Sequence, residues 1–378
     1  MERFLRGLWV LRAWRALRAM GSRIYEADIR RYAAAGVPPI AGGASERIGV
    51  AGMTNENRIF YEKMLLSRAV PLMHHVGWGQ KKSIPGNTGN SINFRRWERP
   101  VVATTAIPEG SPPAATALTV AAVNLTVQQY GAWDRFSDVL DAQGIDDFIT
   151  GASGAFGEQM GLTIDTLARD VLVAGTNVTF AGGAGSRGAI SQAAAYFMSA
   201  TLLKRAQREL LAASARPNPK LGGNFGAWMH PDTWDDLLND TLIQNALQYA
   251  GLRGDTNPLF TGSTFDYAGM RLMRSANARV FGSAGLSSAT NGFPPVYATV
   301  VAAEEAYGEV DFSSESASPA KVIVKQIGSA GAQDPLDQYG TVGWKSAYGA
   351  VRLNEAFLYR IESAANAYSA RQAGNATL

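Results

Sequence analysis

Residues 145–174, IDDFITGASGAFGEQMGLTIDTLARDVLVA, carry the pattern on which the fold turns. Ile145, Phe148, Ile149, Ala152, Ala155, Phe156, Met160, Ile164, Leu167, Val171 and Ala174 recur at steps of three and four, which keeps them on one side of an α-helix. Asp146 and Asp147 suit the positive end of the helix dipole and Gly175 suits the stop, so the spacing predicts one helix over 145–174. Four glycines, Gly151, Gly154, Gly157 and Gly161, interrupt it at the same steps. Each costs about 1 kcal/mol relative to alanine. Some other element must therefore approach this seam closely enough to offset them.

Upstream, residues 90–130 read as two extended arms around a Pro-, Gly- and Ser-rich middle. Ile92, Phe94 and the β-branched run after Pro100 form one arm; Leu118 to Tyr130, with Val123, Leu125 and Val127 alternating, forms the other. Arms of about 14 residues would reach about 45 Å, against a radius of gyration near ~21 Å for a compact chain of this size. Such a hairpin cannot fold back into its own core and needs a neighbour to lie on.

The first 24 residues hold Arg3, Arg6, Arg12, Arg15, Arg18 and Arg23 against a single acid, Glu2, while the formal net charge of the whole chain is only +3. One arm is basic and the body is close to neutral. Arginines at multiples of three drift around a helix, so their stripe spirals. That leaves no stationary apolar face for a membrane surface and fits nucleic acid or a neighbouring subunit better. Residues 33–54 are rich in Ala, Gly and Pro and read as a linker, after which Asn55 can cap a helix from Glu56 to about Met73.

Composition narrows the function further. Charged residues are 18% of 378, below the roughly 25% of an average soluble protein, which suits a surface covered by other subunits. There is no cysteine, which excludes disulfides, thiolate metal sites and cysteine nucleophiles. His74, His75 and His230 lack a third ligand at metal-binding spacing, and the adjacent pair reads as polar residues past a helix end. No apolar run is long enough to cross a membrane. Downstream of the long helix the pattern predicts a helix over 191–213, a strand in FGAWMHP, a helix over 232–249, short strands in MRLMRS and VYATVVA, and C-terminal strands in KVIVKQI, around Trp344 and in AFLYRIES.

Gly183-Ala-Gly185-Ser-Arg-Gly188 is a literal GxGxxG, preceded by the β-rich TNVTFAG. A dinucleotide site would also need an acid about 20 positions on, at the end of the next strand. Glu209 falls inside the predicted helix and Asp232 lies too far away, so the motif reads as a Gly-rich turn, with a dinucleotide-dependent enzyme as the alternative class. No GxSxG accompanies the Ser, His and Asp residues, and Asp146-Asp147 and Asp235-Asp236 sit where helix electrostatics explain them. Asp232 is expected to cap the helix that follows it.

YEKMLLSRAVPL, GNSINFRRWERP, TAIPEGSPP, VQQYGAWDRFSDVLD, LARDVLVAGTNVTFAGG, MHPDTWDDL and IGSAGAQDPLDQYGTVGWKSAYGAVRLNE follow one another between Arg58 and Glu362. In that order they resemble the blocks of tailed-phage major capsid proteins of the N-four type. The resemblance implies an α+β, Hong Kong 97-like capsid fold: a basic N-terminal arm and linker over 1–54, a first helix and connection over 55–89, and an extended hairpin loop over 90–128. It further implies a peripheral domain with a spine helix over 129–214, an axial domain over 215–315, and a C-terminal return to the peripheral domain over 316–378. It makes Arg95, Arg96, Trp97, Glu98, Pro108, Glu109 and Gly110 intersubunit hairpin residues. It would place another subunit's hairpin or arm across the glycine seam. The implied function is a shell of pentamers and hexamers around double-stranded DNA in the virion, assembled in the host cytoplasm. Portal, scaffolding and decoration proteins are the implied partners, with no cofactor, no membrane and no enzymatic step. A bacterial nanocompartment shell is the nearest alternative in fold.

Overall fold

A computed structural model describes residues 64–84, 89–98, 100–107, 109–110, 115–143, 148–249, 264–287, 292–312, 320–328, 336 and 338–368. The six arginines of the N-terminal arm, the Asn55 cap, residues 145–147 and Pro108 lie outside them. In chain order the described elements begin with α1 (residues 64–69), which closes in a 3-10 turn at Val70–Leu72. Strands β1 (Gln80–Ile84), β2 (Ser91–Trp97), β3 (Val120–Thr126) and β4 (Gln128–Ser137) follow, then helices α2 (Asp138–Gln143) and α3 (Phe148–Val173). Next come β5 (Val178–Phe180), α4 (Ala200–Ala212), β6 (Phe225–Met229), α5 (Pro231–Leu238) and α6 (Thr241–Tyr249). The rest is β7 (Asp266–Tyr267), β8 (Met270–Arg274), β9 (Val280–Phe281), β10 (Val296–Ala302), β11 (Tyr307–Phe312), β12 (Ala320–Lys325), β13 (Tyr339–Arg352) and β14 (Leu358–Ser363).

The helix expected at 145–174 is α3, 26 residues long. Its Met160, Ile164 and Ala168 pack with Leu65 and Ala69 of α1 and with Val322, Val324, Val342, Trp344 and Tyr348 of β12 and β13. Along most of its length the glycine seam is filled from within the chain. A Cβ on Gly157 would stand 2.5 Å from the carbonyl oxygen of Leu65, and one on Gly161 would stand 2.5 Å from that of Ala69. At Gly154 the neighbour is the Arg68 guanidinium, 3.0 Å away, whereas Gly151 faces open space. The seam therefore lets two helix backbones touch, which no side chain larger than hydrogen permits.

Among the described residues the strands form three sheets. The five-stranded sheet runs β1-β11-β13-β12, with β4 also on β13. Strand β13 organises it: residues 339–348 pair with β4 and 341–346 with β12, while 348–352 pair with β11. The seven-stranded sheet runs β5-β14-β10-β6-β8-β7, with β9 on β10. Its centre, VYATVVA, is buried at every position because both faces are covered, so it shows no alternation. Strand β11, from the segment expected to be axial, joins the five-stranded sheet, while β14, expected to return to the peripheral domain, joins the seven-stranded sheet beside β5 of the 129–214 segment.

The hairpin is real but its ladder is shorter than expected. Strands β2 and β3 pair over seven residues, from Ser91 with Thr126 to Trp97 with Val120. Prolines explain the loss, since Pro100 cannot donate to a ladder and the middle is punctuated by further prolines. The second arm also changes sheet at Val127, after which β4 pairs with β13. Two helices differ too. The predicted helix over 191–213 starts only at Ala200, because residues 194–197 turn to meet the C-terminal strand: Ala364 N–H donates to Tyr196 O, and Phe197 bridges Ala364. The predicted helix over 232–249 is split at Asn239–Asp240, where the Asp240 carboxylate accepts from Ala200 N at 2.8 Å and Leu242 N at 2.9 Å.

Substituting the seam tests its packing. Gly157→Ala is expected to cost about 1–3 kcal/mol or more in urea unfolding, since backbone cannot yield. Gly151→Ala should instead be neutral or gain about 1 kcal/mol of helix propensity.

Candidate functional site

The hairpin residues singled out above are brought together, but only their base is tied to the body. Phe94 and Leu125 are buried with Ile84, Val127 and Val310. Arg96 donates from Nη1 to the carbonyl oxygen of Leu353 at 3.2 Å, and Lys82 donates from Nζ to that of Asn93 at 3.1 Å. Farther out, Arg95, Trp97, Glu98, Glu109 and Gly110 are exposed. So are Val101, Val102, Ile107 and Leu118, with Val101 at 87%. Burying such side chains is worth ~25 cal/mol per Å² of apolar surface, so water is a poor neighbour for this segment. Between the hairpin and residues 213–216, 304–305 and 353–357 runs a groove of about 750 Å³ with both Arg and Glu side chains in its walls.

A second cluster has no counterpart in the sequence reading. The turn at residues 73–79 joins the long helix to both large sheets. His75 is buried, its N–H donates to Asp165 Oδ1 at 2.6 Å, and its Nδ1 lies 2.9 Å from Asp165 Oδ2. Asn277 donates to the same carboxylate at 2.8 Å. The carbonyl of His74 accepts from Trp78 Nε1 at 3.0 Å and from Trp228 Nε1 of β6 at 2.8 Å. The carbonyl of His75 accepts from the Tyr307 hydroxyl of β11 at 2.6 Å. Gly77 N–H reaches both oxygens of the buried Glu309, at 2.8 and 3.0 Å. Gly77 has φ +99°, a backbone state that favours glycine. The two histidines, expected as ordinary polar residues past a helix end, thus sit at the centre of a buried network. Asp165 stands out in the sequence as an acid next to the apolar stripe of the long helix, but nothing local names its partner.

Burial opposes the charge on Asp165, yet the His75 ring and backbone N–H and the Asn277 amide hold its pKa below the usual carboxylate value. Burial pushes Glu309 up instead, against the Gly77 N–H and the nearby lysines. No group of three His, Cys, Asp or Glu among the described residues could hold a metal ion.

The Gly183–Gly188 loop has another task. It opens no helix: Arg187–Ala189 is a single 3-10 turn, and α4 begins only at Ala200. Arg187 instead makes a bidentate pair with the fully buried Glu362, both bonds 2.7 Å, and its guanidinium lies 3.4 Å from the centre of the Phe281 ring. That engagement raises the Arg187 pKa, chiefly through the hydrogen bonds to Glu362. The loop staples β14 to the sheet. At α5 the cap is His230, whose Nδ1 accepts from Asp232 N at 3.1 Å; Asp232 binds the Tyr297 hydroxyl at 2.8 Å rather than capping. Asp236 is pushed up to about 6 by burial, in spite of the Asn366 N–H and helped by the charges of Asp235 and Asp232.

Asp165→Ala would leave the buried His75 N–H and ring without their acceptor and take one partner from the half-buried Asn277 amide, and is expected to cost at least about 3 kcal/mol at neutral pH in denaturant unfolding. Because the folded pKa of Asp165 is depressed, its contribution is complete above about pH 4 and is lost as pH falls through the folded value. The gap between the wild type and Asp165→Ala should accordingly shrink in acid.

A model of the phage capsid protein family matches residues 119–361. Solved structures share the fold at low sequence identity. The capsid of Ralstonia phage GP4 aligns at TM-score 0.57 and 13% identity, covering 88% of this chain and 97% of that one. The capsid of cyanophage Pam1 aligns at 0.56 and 17%, covering 87% and 98%, and that of cyanophage P-SCSP1u at 0.53 and 15%, covering 75% and 86%. No curated protein sequence matches the chain.

Proposed function

The chain belongs to the phage capsid protein family and forms the icosahedral head as its major capsid protein; from that premise we propose that the hairpin is the arm by which one subunit reaches the next. The observation that carries this is its anchorage. Phe94 and Leu125 bury the base, while every described residue from Trp97 to Val120 is exposed, several of them large and apolar. Isolated two-stranded ribbons are marginal in water, so an apolar one held only at its root is completed by a partner surface. Pentamers and hexamers of this chain supply that surface. The family match favours a phage head over a nanocompartment, and a structural role accords with Arg187 of the Gly-rich loop being held by the buried Glu362 of β14.

Deleting residues 100–116 should leave the body folded, with the unfolding midpoint little changed, and abolish closed particles in electron micrographs. Normal particles from that deletion would remove the hairpin from the interface.

The basic arm is proposed to face packaged double-stranded DNA, because six arginines against one acid sit on a chain that is otherwise near neutral. Portal, scaffolding and decoration proteins are proposed as further partners of the assembled head. A peptide of residues 1–24 should bind duplex DNA with a log-log salt slope of up to about −5, from about 0.9 per neutralised phosphate. A slope near zero would assign the arm to a neighbouring subunit instead.

A further inference from the structure

The angle at which the hairpin leaves the body is decided at very few contacts, and one of them involves a missing side chain. On β11 the sequence YGEVDF alternates, so Tyr307 and Glu309 face the 73–79 turn while Gly308 and Val310 face the hairpin. Val310 presents a normal apolar side chain. Gly308 presents a dimple, and the Phe94 ring of β2 enters it tip first: a Cβ on Gly308 would lie 2.7 Å from both Cε1 and Cζ of Phe94 and 3.2 Å from Cε2. Real Cβ atoms essentially never come that close to carbon. The ring cannot slide aside freely, because Ile84, Leu125, Val127 and Val310 enclose it and Lys82 Nζ stands 4.7 Å over its face. Gly349, opposite Val310 on β13, receives Leu125 more loosely, its Cβ position lying 3.4 Å from the leucine methyls.

We infer that Gly308 is the socket, and Phe94 the ball, that together set the orientation of the hairpin and through it the geometry of the shell. The effect on the shell rests on the proposal that the hairpin bridges subunits, whereas the orientation of the hairpin is a property of the subunit alone. Gly308 is a positioning residue. Its backbone is already paired on both sides, with Gln80 of β1 and Val351 of β13, so the sheet beneath the ring is fixed. Relieving a 2.7 Å contact requires a shift of about 1 Å. Taken up as a tilt across one strand spacing of about 4.8 Å, that is about 10°, and at the far end of a ladder about 20 Å long it becomes about 4 Å. Subunits that meet through such a lever would meet at a different angle.

The absence of cysteine makes the lever measurable. Thr119→Cys on the hairpin and Lys325→Cys on β12 can carry the only two spin labels on the unassembled full-length subunit. Pulsed electron paramagnetic resonance should show the mean label distance change by about 3 Å or more in Gly308→Ala. The distance should return to the wild-type value in the Phe94→Leu/Gly308→Ala double variant, whose shorter side chain vacates the clash. Gly349→Ala should leave it unchanged. In assembly, Gly308→Ala should give aberrant or no closed particles and the double variant should restore them. An unchanged label distance in folded Gly308→Ala overturns the socket, and so does failure of the double variant to recover it. If Gly308→Ala does not fold, the double variant must still fold with the wild-type distance, or the inference is wrong. A changed distance with normal particles overturns the link to shell geometry. Normal particles from the hairpin deletion strike instead at the intersubunit proposal, while the label distances continue to test the socket independently.

Discussion

The structure depends on the turn at residues 73–79, where one short piece of backbone is hydrogen-bonded to three separate parts of the fold. Asp165 brings the long helix, Trp228 the seven-stranded sheet, and Tyr307 with Glu309 the five-stranded sheet. A buried polar network costs more than an apolar core unless each member is answered, and the hydrogen bonds among these groups are what make this one tolerable. Its consequence is positional: the two sheets cannot drift independently while one is bonded to the carbonyl of His74 and the other to that of His75. The same turn leads into β1, and β1 carries the chain to the hairpin.

Close approach to the backbone is the second constraint, and glycine supplies it at several positions, of which three places bear on the hairpin, the long helix and β13. Gly157 and Gly161 admit the backbone of α1 to the long helix, and Gly308 admits the ring of Phe94 to the sheet. Gly340 on β13 sits beneath the ring of its cross-strand partner Phe136. These positions exchange helix or strand propensity for contact area. At each, the stabilisation comes from the partner, so the cost of the glycine is offset only when the tertiary structure has formed.

The polar clusters that resemble chemistry turn out to hold strands and caps. Arg187 and Glu362 tie the loop after β5 to β14, and His230 ends a strand and starts a helix. Meanwhile the apolar residues between Trp97 and Val120 have no answer among the described residues of their own subunit. The interior is closed by its polar network, and the hairpin is left open. That asymmetry is what an assembling subunit requires, since a self-satisfied hairpin would have no reason to bind a copy.

The long helix, the existence of the hairpin and the strands around Ala227, Val300 and Trp344 are legible in the residues because each depends on a local period. The ordered blocks between Arg58 and Glu362 are legible as a family likeness and carry the fold. What local pattern cannot supply is any relation between distant segments. Residues 191–199 have helical composition but turn toward Ala364, which lies far along the chain, and a hydrogen bond made there outweighs the small intrinsic preference of alanine. The ladder is shorter than its residues suggest because the β-branched run after Pro100 suits a strand only if a partner strand can receive it. The glycine seam announces that something passes close, and only the tertiary structure identifies α1. His75 and Asp165 are 90 positions apart, and no spacing rule joins residues that meet solely because two elements pack. The sequence by itself determined the elements, the exclusions and the family; the tertiary structure decided which faces touch, because burial and hydrogen bonding are properties of pairs that the chain order does not encode.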